Sequence, residues 1–194
     1  MRVRLVLQLA GCLMATAGLM TCARSNAPHA RSTEIVTARS EGLVLQAGEG
    51  ERRVRRNADK GPFILKVDRQ NGASPDLVMG YEELAPGAEI QPHRHLVADE
   101  ILFVHGGTGM ATLNERETRV SAGATVYIPR NASISVRNTG SEPLKIVFIF
   151  SKPGFEELMR ENSVLEGRPI TPISAQERDA IRERHRWHTV YPPW

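Results

Sequence analysis

The chain has 194 residues, of which 41% are hydrophobic and 24% charged, a composition that suits one ordinary globular domain with a modest segment at each end. Its formal net charge is +3, and setting aside Arg2 and Arg4, which fall in an apparent leader, takes that from +3 to +1. So weak a basic balance argues against nucleic acid as a partner.

The chain opens with a short basic start, Met1-Arg-Val-Arg4, followed by an apolar run over residues 5–20 that only Gln8 interrupts. Residues 1–23 therefore read as a signal peptide, and the protein is expected to be exported into the periplasm or envelope of a bacterium. A bilayer span needs roughly 20 apolar residues, and Gly11 and Gly18 weaken this run further. A cleaved signal is favoured over a retained anchor, so contact with the membrane is expected only through the signal or a lipid. Leu19-Met-Thr-Cys22 resembles a lipoprotein box with Thr21 where Gly, Ala or Ser is usual. Leu9-Ala-Gly-Cys12 fits the box better but leaves little apolar run before it, and ordinary cleavage after Ala23 is the third route. Cys12 and Cys22 are the only cysteines, so the domain beyond has no intramolecular disulfide and must rest on packing.

Residues 24–40 are polar and aperiodic and read as a flexible tether. From there, short runs rich in β-branched or aromatic residues predict strands over 43–45, 63–67, 77–81, 101–104, 111–113, 118–120, 125–128, 134–136 and 144–150. Turn residues punctuate them: Asn71-Gly, Pro86-Gly, Gly106-Gly-Thr-Gly109, Asn114-Glu-Arg, Ala122-Gly and Asn138-Thr-Gly-Ser141. This spacing argues for an all-β sandwich or barrel over 41–152, with no helix long enough for a parallel βαβ arrangement. Residues 153–194 form a helical C-terminal tail, with one short helix over 154–160 and a second opened by the capping box Ser174-Ala-Gln-Glu177 and running to about Trp187.

The residues that carry chemistry lie in the middle. On an extended strand, residues two apart share a face, so His93 and His95 present their imidazoles to one space, about 7 Å apart along the backbone. Glu100 follows at an odd offset, so the segment 96–99 must turn or bulge before the carboxylate can join them. Gly87 before the pair and Gly107 after Glu100 complete the pattern G-x5-H-x-H-x4-E-x6-G.

That pattern resembles the first signature of the cupin superfamily without a mismatch. The stretch from Gly123-Ala-Thr-Val-Tyr-Ile-Pro129 through Asn138 is similar to the second signature, with two departures. Asn131 stands where Gly is usual, a substitution its tolerance of left-handed backbone permits. Ile134 stands where the family supplies a third histidine ligand. The resemblance covers about residues 63–150, comes closest to single-domain quercetin dioxygenase-like bacterial cupins, and implies a double-stranded β-helix, the jelly-roll barrel, with short C-terminal helices. It implies a metal on His93, His95 and Glu100, a divalent transition ion among iron, manganese, zinc, nickel and copper, and a homodimer paired through sheet edges as an option. Two imidazoles and one carboxylate match the ligand count of the facial triad of non-haem iron oxygenases. The implied activity is that of a metal-dependent dioxygenase-type enzyme on a small organic molecule. The alternative is a non-catalytic cupin that binds or senses a small ligand with a degenerate or empty metal site. Leu102 and Ile134 are expected to wall the substrate pocket, and Gln91, two residues before His93, to face the same interior.

Outside this set, His105 follows Glu100 at an odd interval and is expected to face outward. His185 and His188 sit three apart beside Trp187, among Arg182, Arg184 and Arg186, and read as part of a solvated basic helix. The dense run Arg52-Arg-Val-Arg-Arg56 reads as a solvated edge.

Overall fold

The computed structural model describes residues 42–57, 61–71 and 74–194; the leader, both cysteines and the 24–40 segment lie outside them. Strands β1 (Glu51–Arg55), β2 (Pro62–Val67), β3 (Val78–Leu84), β4 (Glu89–His95), β5 (Glu100–Gly106), β6 (Thr108–Leu113), β7 (Arg116–Ser121), β8 (Thr125–Ile128), β9 (Ser133–Asn138) and β10 (Leu144–Phe150) lead into a tail. The tail holds helix α1 (Phe155–Glu161), strand β11 (Ser163–Leu165), helix α2 (Ala175–Arg184) and strand β12 (Thr189–Val190). Two sheets form, one in the order β11-β1-β2-β3-β10-β5-β8 and the other β12-β4-β9-β6-β7, and every described pairing is antiparallel. This is the double-stranded β-helix, a jelly roll whose strands β3, β5 and β10 alternate between core and outer face.

The alternation shows how sequence becomes packing. On β5, Glu100, Leu102 and Val104 are buried while Ile101, Phe103 and His105 are exposed. On β10, Leu144, Ile146, Phe148 and Phe150 point inward and meet Ile134 and Val136 of β9 in one apolar core. The turns obey their local chemistry. Asn114 and Glu115 form the two-residue loop between β6 and β7 with φ of 46° and 70°, as a primed hairpin turn requires. Asn131 takes φ 68°, the left-handed conformation its side chain tolerates. At Gly107 (φ 80°) a Cβ would sit 2.5 Å from the Pro143 carbonyl oxygen, so glycine is required there for both conformation and space. Asn138 is buried and closes the turn after β9: its Nδ2 donates to the Leu84 and Glu142 carbonyls, and its Oδ1 accepts from the Gly140 N–H.

Four expectations need correction. Residues 43–45 form no strand. The arginine run is not a solvated edge; it builds β1, with Arg53 hydrogen-bonded to Glu51 and Ser163, Arg55 paired with Glu82, and Arg56 with Glu177. The second helix ends at Arg184, after which the helical bonding tightens: Arg186 N–H bonds the Glu183 carbonyl and His188 N–H the His185 carbonyl, each three residues back. The tail is also not purely helical, since β11 pairs with β1 and β12 with β4, so it extends both sheets. Arg160 of α1 reaches down to Glu51 and to the fully buried Asp68, fastening the tail to the barrel.

Candidate metal centre

His93 and His95 lie on β4 in the five-stranded sheet, and Glu100 opens β5 in the seven-stranded one. The turn over 96–99 supplies the change of direction that the odd spacing demands, and all three side chains are buried. Their ligand atoms lie within 4.8 Å of one another. His93 Nε2 is 3.1 Å from His95 Nε2, and Glu100 Oε2 is 3.2 Å from that same His95 nitrogen.

The outer ring nitrogens show what the inner ones carry. His93 Nδ1 lies 2.8 Å from the Gln91 carbonyl oxygen, which can only accept, so a neutral ring keeps its proton on Nδ1 and its lone pair on Nε2. His95 Nδ1 is 3.2 Å from Thr189 Oγ1, which β12 places directly across from His95. Thr189 Oγ1 is 2.8 Å from His188 Nδ1, His188 Nε2 is 3.0 Å from His185 Nδ1, and His185 Nε2 is 2.8 Å from Glu161 Oε1. Burial opposes ionisation of Glu161, but hydrogen bonds from Arg184 and His185 outweigh it and hold its carboxyl below the usual range. A carboxylate can only accept, so His185 donates to it. With neutral rings the chain then runs in one sense: His95 donates to Thr189, Thr189 to His188, and His188 to His185. The lone pair of His95 is left on Nε2, facing the centre.

Two lone-pair nitrogens and a carboxylate oxygen thus converge in a buried site. Burial holds His95 in its neutral form, with a pKa pushed down to about 4. Burial also pushes Glu100 up to about 8, with Glu82 adding to the effect and His93 opposing it, and Glu100 Oε2 makes no hydrogen bond. Like-signed electron density brought this close is costly unless a cation neutralises it. Neutral imidazoles and a carboxylate are the donors a divalent transition ion takes, so the residues present fit one.

A cavity of about 130 Å³ adjoins the triad. Leu102 and Ile134 are buried on its wall, and Ile134 stands directly opposite His93 in the β4–β9 ladder. A bulge between Ile90 and His93 shifts the phase of β4, so Gln91 is exposed at the cavity's edge and Ile90 is the half-buried residue beside it. Gln91 serves His93 through its main-chain carbonyl. His105 is exposed and touches only the edge of Tyr81 among the aromatic rings described.

The tail supplies what the sequence did not disclose. His185 and His188 are buried, not solvated, and form the link from Thr189 to Glu161. Phe155 stacks on His93 with rings 5.8 Å apart and 6° from parallel, and Tyr191 stacks on it at 5.9 Å. The three-residue spacing of His185 and His188 was the one available signal, masked by the arginines around them. Nothing local marked Thr189, Phe155 or Tyr191.

The barrel has relatives among known proteins. Residues 80–150 match the family model of the cupin domain, Cupin_2. Over 92 residues the chain is 29% identical to the dimethylsulfoniopropionate lyase DddW of Ruegeria pomeroyi, a match that takes in 47% of this chain and 59% of that protein. It is 32% identical over 90 residues to auxin-binding protein 1 of Arabidopsis thaliana, covering 42% of this chain and 45% of that protein. The chain therefore spans less than two thirds of either relative. An RmlC-like cupin from Shewanella frigidimarina superposes with a TM-score of 0.50 at 13% identity, over 60% of this chain and 96% of that one, and so shares its fold. The family model and the shared barrel together support the cupin superfamily for this chain.

Proposed function

We propose that the protein is an exported, metal-dependent enzyme that acts on a small organic molecule, with His93, His95 and Glu100 holding a divalent transition ion. The observation that carries this reading is the convergence of three buried ligand atoms beside a cavity with an apolar wall, with both imidazoles set to offer Nε2. When bound, such an ion supplies Lewis acidity and, if redox-active, one-electron chemistry with dioxygen. The finer, dioxygenase-type reading rests on the ligand count of two imidazoles and one carboxylate. Around the centre, Phe155, Tyr191 and Phe150 pack on the imidazoles and exclude water, and Leu102 and Ile134 offer a substrate an apolar wall.

A second reading, a small-ligand binder without turnover, is favoured by Ile134, which is buried on the cavity wall opposite His93 and makes that wall apolar where the resemblance implies a third histidine. The relatives include both a lyase and a binding protein by name. Elemental analysis of the purified protein decides between the readings. The metalloenzyme is expected to carry a stoichiometric transition metal that His93→Ala loses, and chelation is expected to lower its melting temperature. Metal content no higher than in His93→Ala, with a melting temperature indifferent to chelator, sinks the metalloenzyme and leaves the binder.

A further inference from the structure

Two chemically different sets of residues line the cavity. One is His93 and Glu100 of the triad. The other comes from the tail, where Arg178 and Arg182 stand one turn apart on the same face of α2. The charged residues that line the cavity are Arg55, Glu82, Glu100, Arg178 and Arg182. Glu82 is committed to Arg55 in a close, nearly buried pair. Glu100 belongs to the metal centre. Neither carboxylate is left for the α2 arginines. Arg182 lies over the Tyr191 ring at 4.1 Å, and the ion pair it makes among the described residues, with exposed Asp179 at 4.0 Å, is weak.

Among the described residues, three buried side-chain polar atoms lack a hydrogen-bond partner: Glu100 Oε2, Arg178 Nε and Arg94 Nε. The third belongs to a guanidinium stacked on Trp194. The other two belong to residues that line this one cavity. Buried polar groups left unpaired are rare and ask for a partner. For Glu100 the missing partner is a cation, and for Arg178 it is an anion that can accept from guanidinium N–H groups, for which a carboxylate is the matching shape. The rest of the lining is largely apolar, with Leu102, Ile134, Val136, Phe148 and Leu158. The volume, about 130 Å³, is close to that of a cavity that holds benzene, so the occupant has about six non-hydrogen atoms.

We propose that the substrate is a small organic acid whose carboxylate lies against Arg178 and Arg182, with its carbon skeleton on the apolar wall and its far end toward His93 and Glu100. This rests on the reading of the triad as the reacting end. The arginines bind and orient, and their place on a tail helix makes the tail part of the specificity.

Butyrate and butyramide, matched in size and differing in charge, test it. Each is titrated into the 15N-labelled full-length protein at fixed ionic strength and followed by NMR, with metal content measured on the same samples. Butyrate is expected to bind at least about tenfold more tightly than butyramide, as loss of a charge-assisted bidentate contact predicts. Arg178→Gln and Arg182→Gln, each checked for folding by its melting temperature, are expected to abolish the preference while leaving metal content unchanged. Equal affinity of acid and amide, no binding of either, or a preference that survives both substitutions overturns the inference. If the purified protein holds no metal and still prefers butyrate through Arg178, the acid site stands and the metal reading falls. If metal is present and no preference is found, the acid site falls and the metal reading stands.

Discussion

The inner wall of the barrel and the C-terminal tail build the same site by different rules. The barrel supplies His93, His95 and Glu100 from a stretch of eight residues, two strands and the turn between them. The tail supplies Thr189, His188, His185, Phe155 and Tyr191 from elements that reach the centre only because β12 pairs with β4 and α1 is pinned by Arg160. Ligand atoms need only local geometry. Orienting those ligands and sealing them from water needs partners brought from elsewhere in the chain, and these depend on the tertiary structure holding.

The strongest way to break that dependence is to unfasten the tail. Asp68 is fully buried, accepts hydrogen bonds from the Gln70 and Asn71 N–H groups, and pairs with Arg160. Asp68→Ala removes the one fully buried partner of the Arg160 guanidinium, leaving half-buried Glu51 and the more exposed Glu157, and is expected to cost about 3 kcal/mol in urea unfolding. Metal affinity should fall in the same variant although no ligand is touched. Unchanged affinity in a destabilised protein would show the barrel to be sufficient without its tail.

Legibility in the sequence followed the same division. Most strands from 63 to 150 are readable as short β-branched or aromatic runs between turn residues with definite conformational needs, as Asn114 and Asn131 show; β4, Glu89–His95, has too few such residues to stand out as a run. The triad was readable because its spacing is local, and the need for a turn before Glu100 followed from strand parity alone. What failed was whatever depended on a distant partner. Arg53 and Arg55 look like a solvated charge run until Ser163 and Glu82 arrive to pair with them. His185 and His188 look solvated among arginines until the chain folds them inward toward Thr189. Gln91 lines the cavity as expected, but a one-residue bulge leaves it exposed at the edge, and it is its main-chain carbonyl that serves His93.

The next effect is a pH dependence confined to the barrel. Glu100, pushed up to about 8 in the folded state from an ordinary 4.5, holds its proton where the unfolded chain has lost it, so its contribution is present below 4.5 and disappears as pH rises through 8. His95 and His188, pushed down to about 4, act in the opposite sense below their ordinary 6.5. The clean window is therefore pH 6.5 to 8, where chelator-treated protein should lose about 2 kcal/mol of stability. Glu100→Gln should flatten the slope, and a saturating divalent cation should do the same by stabilising the carboxylate. A slope that persists in Glu100→Gln would assign it to another group.

Thr189→Val sharpens the comparison from the tail side. Valine keeps the shape but removes the hydroxyl that receives the His95 Nδ1 proton and passes the chain on to His188. Metal affinity, measured by competition with a chromophoric chelator, is expected to fall by about 10- to 100-fold, with a smaller change in melting temperature than Asp68→Ala produces. Equal affinity would mean that burial alone sets the tautomer of His95.

The smallest expected effect lies on the wall opposite His93. Ile134 is buried and paired with His93 across the β4–β9 ladder, and residues so paired hold their Cβ atoms about 5 Å apart, with both side chains on one face. A histidine at 134 is thus placed to reach the space that His93, His95 and Glu100 already share. Against that gain stand the loss of a well-packed sec-butyl group and the burial of a second polar ring nitrogen, so Ile134→His should tighten metal binding by no more than about tenfold while lowering the stability of the metal-free protein. The same substitution shortens the apolar wall, so affinity for a hydrophobic small molecule should fall as affinity for metal rises. If both rise together, Ile134 is not part of the ligand wall, and the wall opposite His93 is not where a hydrophobic ligand rests.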